Sequence, residues 1–276
     1  MRDQVAVNYL RAFLERHPTT TYKKGDIIIF QGEAPRHAFV VKEGIVKAYN
    51  LSVNGDEKPV AFYGENVIFP DAWVFGKLSN AIYYFEAFTP EVTVYCVDKD
   101  ELAKFIKTRP ELLYQEMDHL LMNKLAMSMR LNALQHSKAS DKLLYTLHYL
   151  ALSHGKKLGG QKVEITLDLT HQDFANLTGL TRETAATELN KLKKSFVINY
   201  GKGIPYTLDL GKLTQMLNDQ YIAEPTYISG VTGLSAWRTL GANLRFSLHR
   251  TLVRLHSNAQ LSSQTALKQI TLPFIR

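Results

Sequence analysis

Residues 170–194 read THQDFANLTGLTRETAATELNKLKK, and their pattern predicts two short helices joined by a turn. The Thr-x-x-Asp spacing that starts at Thr170 is that of a helix N-cap followed by an acidic residue in the first turn. Gly179 can adopt the left-handed conformation that ends a helix, and Thr181 can cap a second helix over residues 182–194. Two helices joined by a short turn that contains glycine form a helix-turn-helix.

The start of the second predicted helix carries side chains that suit DNA. In a helix-turn-helix, this turn of the second helix meets base edges in the major groove. Arg182 can pair with a guanine through two hydrogen bonds, Glu183 can accept from a cytosine amino group, and Thr187 can touch a thymine or a phosphate. We therefore predict that this helix recognises DNA. The alternative is a solvated amphipathic helix with ordinary surface charges.

Residues 197–208 predict a β-hairpin after the second helix. Two strand-like segments, 197–200 and 204–208, flank a turn whose glycines can take positive φ. Lys202 at the tip of this wing can reach a phosphate, as can the lysines within residues 191–194. The predicted DNA-binding residues are Thr181, Arg182, Glu183, Thr187, Lys191, Lys194 and Lys202.

Residues 21–97 form the β-rich half of the chain. Short runs of β-branched and aromatic residues, such as Ile27-Ile28-Ile29-Phe30, are separated by regularly spaced glycines, which predicts an antiparallel roll. A helical pattern precedes this half over residues 5–16. A short helix follows it, beginning at Asp98 and stopping at Pro110.

From Glu111 the pattern becomes that of one long helix. Most positions of its heptad seam are apolar, and the seam consists of Leu113, Met117, Leu120, Lys124, Met127, Leu131 and Leu134. The seam predicts a homodimer through the helix from Leu113 to Leu134, with Lys124 making the coiled coil imperfect. The alternative is a core helix packed on its own domain.

The segment between the long helix and the helix-turn-helix predicts three further elements. These are a helix over residues 141–154, a loop over residues 155–160 and a strand over residues 163–169. Together with the helix-turn-helix and the wing, they make up a second domain.

Two parts of the chain resemble the Crp/Fnr family of transcription regulators. Gly179-Leu180-Thr181-Arg182-Glu183-Thr184, with the wing after it, looks like the family's recognition segment. Gln31-Gly32-Glu33 and Val41-Lys42-Glu43-Gly44 are similar to its cyclic-nucleotide-binding roll. The resemblance covers residues 20–210 and implies an α+β fold with an N-terminal antiparallel β-roll (cyclic-nucleotide-binding-like), a long dimerisation helix and a C-terminal winged helix-turn-helix. We place the sensing domain at residues 1–109 and the dimerisation helix at residues 110–139. The DNA-binding domain follows at residues 140–223, and a basic extension at residues 224–276.

The resemblance also implies partners and a location. It implies a cytoplasmic homodimer that binds double-stranded DNA, responds to a small-molecule effector and meets RNA polymerase. The family's first two base-reading positions match Arg182 and Glu183. Its third position, usually arginine, falls on Thr187, so the operator sequence stays open, and Glu188 at a normally apolar position indicates different packing.

The effector prediction depends on a missing arginine. Gly64-Glu65 resembles the start of the cassette that holds the cyclic phosphate in family members that bind cyclic AMP, but Ala81 replaces the arginine of that cassette. An unpaired phosphate in a buried site is costly, so we predict an effector other than cyclic AMP or cyclic GMP. Ser128 matches a polar residue that contacts the purine in the family. Aromatic residues nearby can line an apolar pocket, whose candidate residues are Gly64, Glu65, Phe69, Tyr83 and Ser128.

The identity of any cofactor stays open. The alternatives to an apolar effector are a filled core without a ligand, and haem held by His37 or Cys96. The single cysteine, Cys96, excludes an intramolecular disulfide and cannot supply the thiolates of an iron–sulfur cluster or a structural zinc site, which suits a reducing cytoplasm. We predict no metal site. We also predict no membrane span, because no run approaches the roughly 20 apolar residues that one needs.

The net charge of +7 lies almost wholly in the tail, since residues 226–276 carry six Lys and Arg residues and no Asp or Glu. An apolar stripe in the tail predicts a helix that packs on the protein or assists DNA binding, with Trp237, Leu240, Leu244, Leu248, Leu252 and Leu255 along it. The alternative is a disordered extension in which Gly241 and Asn243 break the helix.

Signatures of common enzymes are missing from the sequence. It has no P-loop, no Gly-x-Ser-x-Gly elbow and no His-Glu-x-x-His zinc motif, and His171 is explained by the start of a helix. We therefore predict a regulator rather than an enzyme. An architectural DNA-binding protein without an effector is the second alternative.

Overall fold

The computed structural model of this chain describes residues 9–217. The beginning of the helix predicted from residue 5 and the whole of the tail predicted over residues 226–276 lie outside the described residues. Within the described range, residues 9–14 are helical and form α1.

The N-terminal half is an antiparallel roll, as predicted. Its two four-stranded sheets have the orders β1-β8-β3-β6 and β2-β7-β4-β5. Alternate residues of each strand point inward, so the two inner faces bury a common core that includes the stacked rings of Phe39, Phe69 and Phe85. The strands are β1 (Thr19–Lys23), β2 (Ile27–Ile29), β3 (Ala38–Glu43), β4 (Val46–Leu51), β5 (Glu57–Tyr63), β6 (Ile68–Phe69), β7 (Tyr84–Ala87) and β8 (Glu91–Val97).

Helices cover one side of the roll and lead out of it. A short helix, α2 (Asp71–Val74), follows β6, and α3 (Lys99–Lys107) follows β8. The carboxylate of Asp98 caps α3 by accepting from the backbone N–H groups of Asp100 and Glu101 at 3.0 and 2.9 Å. The chain then enters the 26-residue helix α4 (Pro110–Gln135), with proline at the first helical position, where its missing N–H costs nothing.

The C-terminal part of the described chain is a winged helix-turn-helix. Its four-stranded sheet has the order β11-β12-β10-β9 and packs against the helices. Its elements are α5 (Ala139–His154), β9 (Gly155–Gly159), β10 (Lys162–Ile165), α6 (His171–Thr178), α7 (Arg182–Lys194), β11 (Ile198–Gly201), β12 (Ile204–Asp209) and α8 (Leu210–Leu217).

Two predictions for this part are wrong in detail. The loop predicted over residues 155–160 is largely strand β9, which pairs with β10. Gly155 is needed there for close packing, because a Cβ would clash with the Ala151 carbonyl and the Val163 side chain. The strand predicted to reach residue 169 ends at Ile165, since Thr166 donates through both its N–H and its hydroxyl to the His154 carbonyl, at 2.8 and 3.0 Å.

The roll and the winged unit touch through aromatic side chains. Phe62 of β5 packs edge-on against Phe88 of the roll and against His154 at the end of α5, with ring centroids 5.1 and 5.7 Å apart. Burial lowers the pKa of His154 to about 4, so its ring is neutral near neutral pH. From α4, the Arg130 guanidinium donates to the Val60 carbonyl on the same strand at 2.9 Å. Strand β5 is therefore held both by the long helix and by the winged unit.

Candidate nucleic-acid interface and effector region

The helix-turn-helix forms as predicted, with both helices capped. Thr170 and Asp173 make a reciprocal capping box: the Thr170 hydroxyl accepts from the Asp173 N–H at 3.2 Å, and the Asp173 carboxylate accepts from the Thr170 N–H at 2.7 Å. Gly179 ends α6 with φ of +67°. The Thr181 hydroxyl accepts from the Thr184 N–H at 3.2 Å and starts α7.

The packing of α7 decides which of its side chains reach solvent. Ala185, Leu189 and Leu192 are buried against the other helices. Thr181, Arg182, Glu183 and Thr187 are exposed, on or near the first turns of the helix. The Thr187 hydroxyl donates to the Glu183 carbonyl at 2.8 Å, so the methyl group is the part of this side chain that stays available.

The lysines at the end of α7 differ in their contacts. Lys194 is exposed, and Lys191 pairs with Glu188 at 2.6 Å while most of its side chain remains exposed. Glu188, at the normally apolar position, is accommodated by this ion pair. Lys193 instead donates to the Tyr200 carbonyl at 2.6 Å and lies over the Tyr200 ring, so it is tied to the wing rather than free for a phosphate as the sequence suggested.

The wing is fixed to α7 through Tyr200. Its hydroxyl donates to the Asn190 side chain at 3.0 Å, and its ring stacks on Tyr206 at 4.6 Å. Gly203 takes a φ of +69° in the turn, and Lys202 is exposed at the tip. Sequence reasoning missed this role of Tyr200, because an isolated tyrosine in a predicted strand carries no signal of its partner across the fold.

A cleft of about 330 Å³ opens between the start of α6 and the wing. Thr170, His171 and Lys202 are among its lining residues, and the His171 ring lies edge-on to Tyr200 at 5.6 Å. Burial and the positive charge of Arg182 lower the pKa of His171. Sequence reasoning explained His171 by the helix start alone.

The five candidate effector residues differ in burial and in surroundings. Phe69 is fully buried in the core of the roll, and Glu65 is exposed. Ser128 is exposed on α4, where its hydroxyl donates to the Lys124 carbonyl at 2.9 Å. Tyr83 lines a small cavity, and Gly64 lies in the turn after β5, where its carbonyl accepts from the Val67 N–H.

That cavity, of about 40 Å³, lies under α2 and contains the position of the missing arginine. Its lining residues include Ala81, Tyr63, Tyr83 and Asp71, and no lysine or arginine of residues 9–217 is among them. Glu116 of α4 is buried near Asp71. Burial, with the charge of Asp71, raises the pKa of Glu116 to about 7.

The heptad seam of α4 is exposed in the isolated chain. In α4 only Leu112, Glu116 and Ala133 are buried. The exposed apolar residues of the seam are Leu113, Met117, Leu120, Met127, Leu131 and Leu134, with exposed Lys124 between them. One apolar strip of a long helix thus has no partner within residues 9–217.

The two candidate axial ligands for haem both lie on the roll. Of the two candidate axial ligands, His37 is exposed on the roll, and the Cys96 sulfur lies 3.4 Å from the Thr20 hydroxyl. Residues 9–217 contain no group of three or more His, Cys, Asp or Glu side chains placed to hold a metal ion. No helix in that same range has the length and apolar character to cross a membrane.

Comparisons with known proteins match both halves of the chain. Residues 19–109 match the cyclic nucleotide-binding domain, and residues 141–216 match the Crp-like helix-turn-helix domain. The global nitrogen regulator of Synechococcus elongatus is 29% identical over 178 residues, which cover 64% of this chain and 79% of that protein.

Solved structures share the fold. A transcriptional regulator of the CRP/FNR family from Thermus thermophilus superposes with a TM-score of 0.57 and 25% identity, over 74% of this chain and all of that one. A CooA mutant from Carboxydothermus hydrogenoformans superposes with a TM-score of 0.62 and 22% identity, over 75% of this chain and 90% of that one.

Proposed function

This chain belongs to the Crp/Fnr family of transcription regulators, and we propose that it binds a pseudo-palindromic DNA site as a homodimer, under the control of an effector other than cyclic AMP. Its domains and relatives are those of a regulator and not of an enzyme. Bound beside a promoter, such a dimer contacts RNA polymerase. The observation that carries the proposal is the exposed, capped start of α7.

Base readout follows from that geometry. The Thr181 cap fixes where α7 begins, and the burial of its opposite face leaves Arg182 and Glu183 projecting into solvent from the first turn. A guanidinium and a carboxylate on this turn can read a guanine and a cytosine, respectively. Thr187, Lys191 and Lys194 along α7 and Lys202 on the wing supply the contacts to thymine methyl groups and phosphates.

Dimerisation through α4 accounts for its exposed strip. A contiguous apolar strip on a long helix is costly to leave in water, and heptad spacing is the pattern with which two helices bury such strips against each other. The dimer also gives the DNA site its symmetry, because two identical recognition helices related by a two-fold axis read an inverted repeat.

An effector other than cyclic AMP is supported by the cavity at Ala81. The cavity measures about 40 Å³ and small-molecule sites usually measure roughly 300–1,000 Å³, so any effector requires the cavity to widen. Asp71 is among its lining residues, and no lysine or arginine of residues 9–217 is, whereas a cyclic phosphate would need a cation. A neutral or cationic molecule is therefore a better candidate than a cyclic phosphate.

The alternative is an architectural DNA-binding protein that needs no effector. A footprint of the purified dimer on long natural DNA separates the two. We expect protection confined to a few inverted repeats, with occupancy changed by a molecule that co-purifies with the native protein and is identified by mass spectrometry. Uniform protection along the DNA would favour the architectural alternative. If cyclic AMP binds tightly and changes the affinity for DNA, the prediction based on Ala81 is wrong.

A further inference from the structure

His171 lies where the DNA-binding surface bends from α6 to the wing. It is the first residue of α6 and lines the open cleft of about 330 Å³ with Lys202. The charge of Arg182, the first residue of α7, acts on its ring. One imidazole is thus placed among the first turns of both helices and the tip of the wing, which are the parts of the motif that meet DNA.

Burial and the positive charge of Arg182 favour the neutral form of this imidazole in the free protein. Arg182 from α7 opposes protonation. Lys202 lines the wing side of the same cleft. Tyr200 and Tyr206 of the wing contribute rings and no charge near neutral pH. Asp173, on the same helix as His171, already accepts from the Thr170 N–H and hydroxyl.

One further carboxylate, that of Asp168, lines the cleft. It lies 3.9 Å from Lys24 of the roll and is largely exposed, so water and that lysine weaken its effect on the imidazole. Lys193 is held over Tyr200 by its bond to the Tyr200 carbonyl. Among these charged groups of residues 9–217, Arg182 is therefore the one that opposes protonation of His171.

We propose that His171 is a contact to the DNA backbone and takes up a proton when DNA binds, so that the affinity of this regulator for DNA is linked to pH. The proposal rests on the proposed function, since it requires DNA on this face. The first helix of a helix-turn-helix crosses the backbone, and a phosphate in the cleft would reverse the local sign of charge. The protonated imidazole then donates a charge-assisted hydrogen bond to a phosphate oxygen.

The direction of the pH effect follows from linkage. The pKa of His171 is below its ordinary value in the free protein, and a phosphate raises it in the complex. Between these two pKa values the complex holds more protons than the free components, so affinity rises as pH falls through that window. A full proton for each subunit corresponds to about tenfold in affinity per pH unit for that subunit.

The test measures the affinity of the full-length dimer for its selected duplex at a series of pH values between about 6 and 8. Calorimetry in buffers of different ionisation enthalpy measures how many protons are taken up on binding. We expect wild type to bind more tightly at the lower pH values with uptake of protons. His171→Gln should be pH-independent with reduced affinity at low pH. His171→Lys keeps its positive charge at every pH of the series, so its affinity for DNA should be high and independent of pH. At the highest pH, the slope of log affinity against log salt concentration should be steeper than that of wild type by about 0.9 for each phosphate contact.

Two control variants isolate this effect. His37→Gln changes an exposed histidine of the roll, and Glu116→Gln removes the buried acid of α4; both should keep the proton uptake of wild type. Uptake that survives in His171→Gln, or wild-type affinity that does not vary with pH, would overturn the inference and leave the proposed function standing. If wild type prefers no duplex over random DNA at any pH, both the inference on His171 and the proposed function are wrong.

Discussion

Arg182 and Lys194 lie at opposite ends of α7, and at the scale of single residues we expect them to act differently on DNA. Arg182→Ala removes the proposed base contact, so it should cost about 1–3 kcal/mol on the selected duplex and relax the preference at one base pair. Lys194→Ala removes a backbone contact and should weaken every duplex alike. Fluorescence anisotropy with specific and random duplexes measures both, and equal losses on the two duplexes for Arg182→Ala would refute its assignment.

Glu116 gives a second prediction at this scale, on stability. Its pKa rises from 4.5 to about 7 on folding, so the folded state binds more protons than the unfolded state between these pH values, and the free energy of unfolding falls as pH rises through that window. Glu116→Gln should therefore raise the free energy of unfolding by up to about 3 kcal/mol above pH 7 and change it little below pH 4.5.

Urea unfolding at several pH values measures this effect. Glu111→Gln, at an exposed position of the same helix, is the control and should follow wild type at every pH. If Glu116→Gln and wild type lose stability in parallel as pH rises, the buried acid is not the cause.

At the scale of elements, α4 carries the prediction on assembly. Replacing Leu120 and Leu131 with glutamate places charges within the exposed apolar strip, so the double variant should sediment as a monomer and bind DNA more weakly. Glu111→Lys, off the seam on the same helix, should remain a dimer. An unchanged sedimentation mass for the double variant would show that the strip is not the interface.

The helices and strands also differ in how far they could be predicted from the sequence. The helix-turn-helix was predictable because caps at Thr170 and Thr181 and a left-handed Gly179 are local signals, each readable within a few residues. The seam of α4 was predictable because its period repeats. Strand β9 was not, because Gly155 looks like a loop residue until the close approach of Ala151 and Val163 is known.

Contacts between distant residues lie beyond such signals. The bond from Lys193 on α7 to the Tyr200 carbonyl on the wing depends on which rotamers the folded surface allows. The candidate effector residues were chosen partly by resemblance and partly because aromatic side chains can line a pocket. The structure separates Phe69 in the core from Glu65 and Ser128 on the surface. That part of the site remains a prediction.

At the scale of the whole molecule, the tail sets the balance of charge. Ending the chain after Pro225 removes six positive charges and no negative ones, so it should lower the affinity for all DNA sequences alike and flatten the dependence on salt. If the predicted stripe packs on the protein instead, the deletion should lower the melting temperature. A truncated chain that matches wild type in salt dependence and in melting temperature would leave the tail without either role.

The central claim is that a symmetric dimer reads a DNA sequence through the start of α7, and selection from random duplex DNA tests it most directly. Wild type should recover an inverted repeat whose half-sites lie about one helical turn, ~34 Å, apart. Arg182→Ala should recover a repeat degenerate at one position in each half-site. Recovery of sequences without an inverted repeat by wild type would contradict the claim.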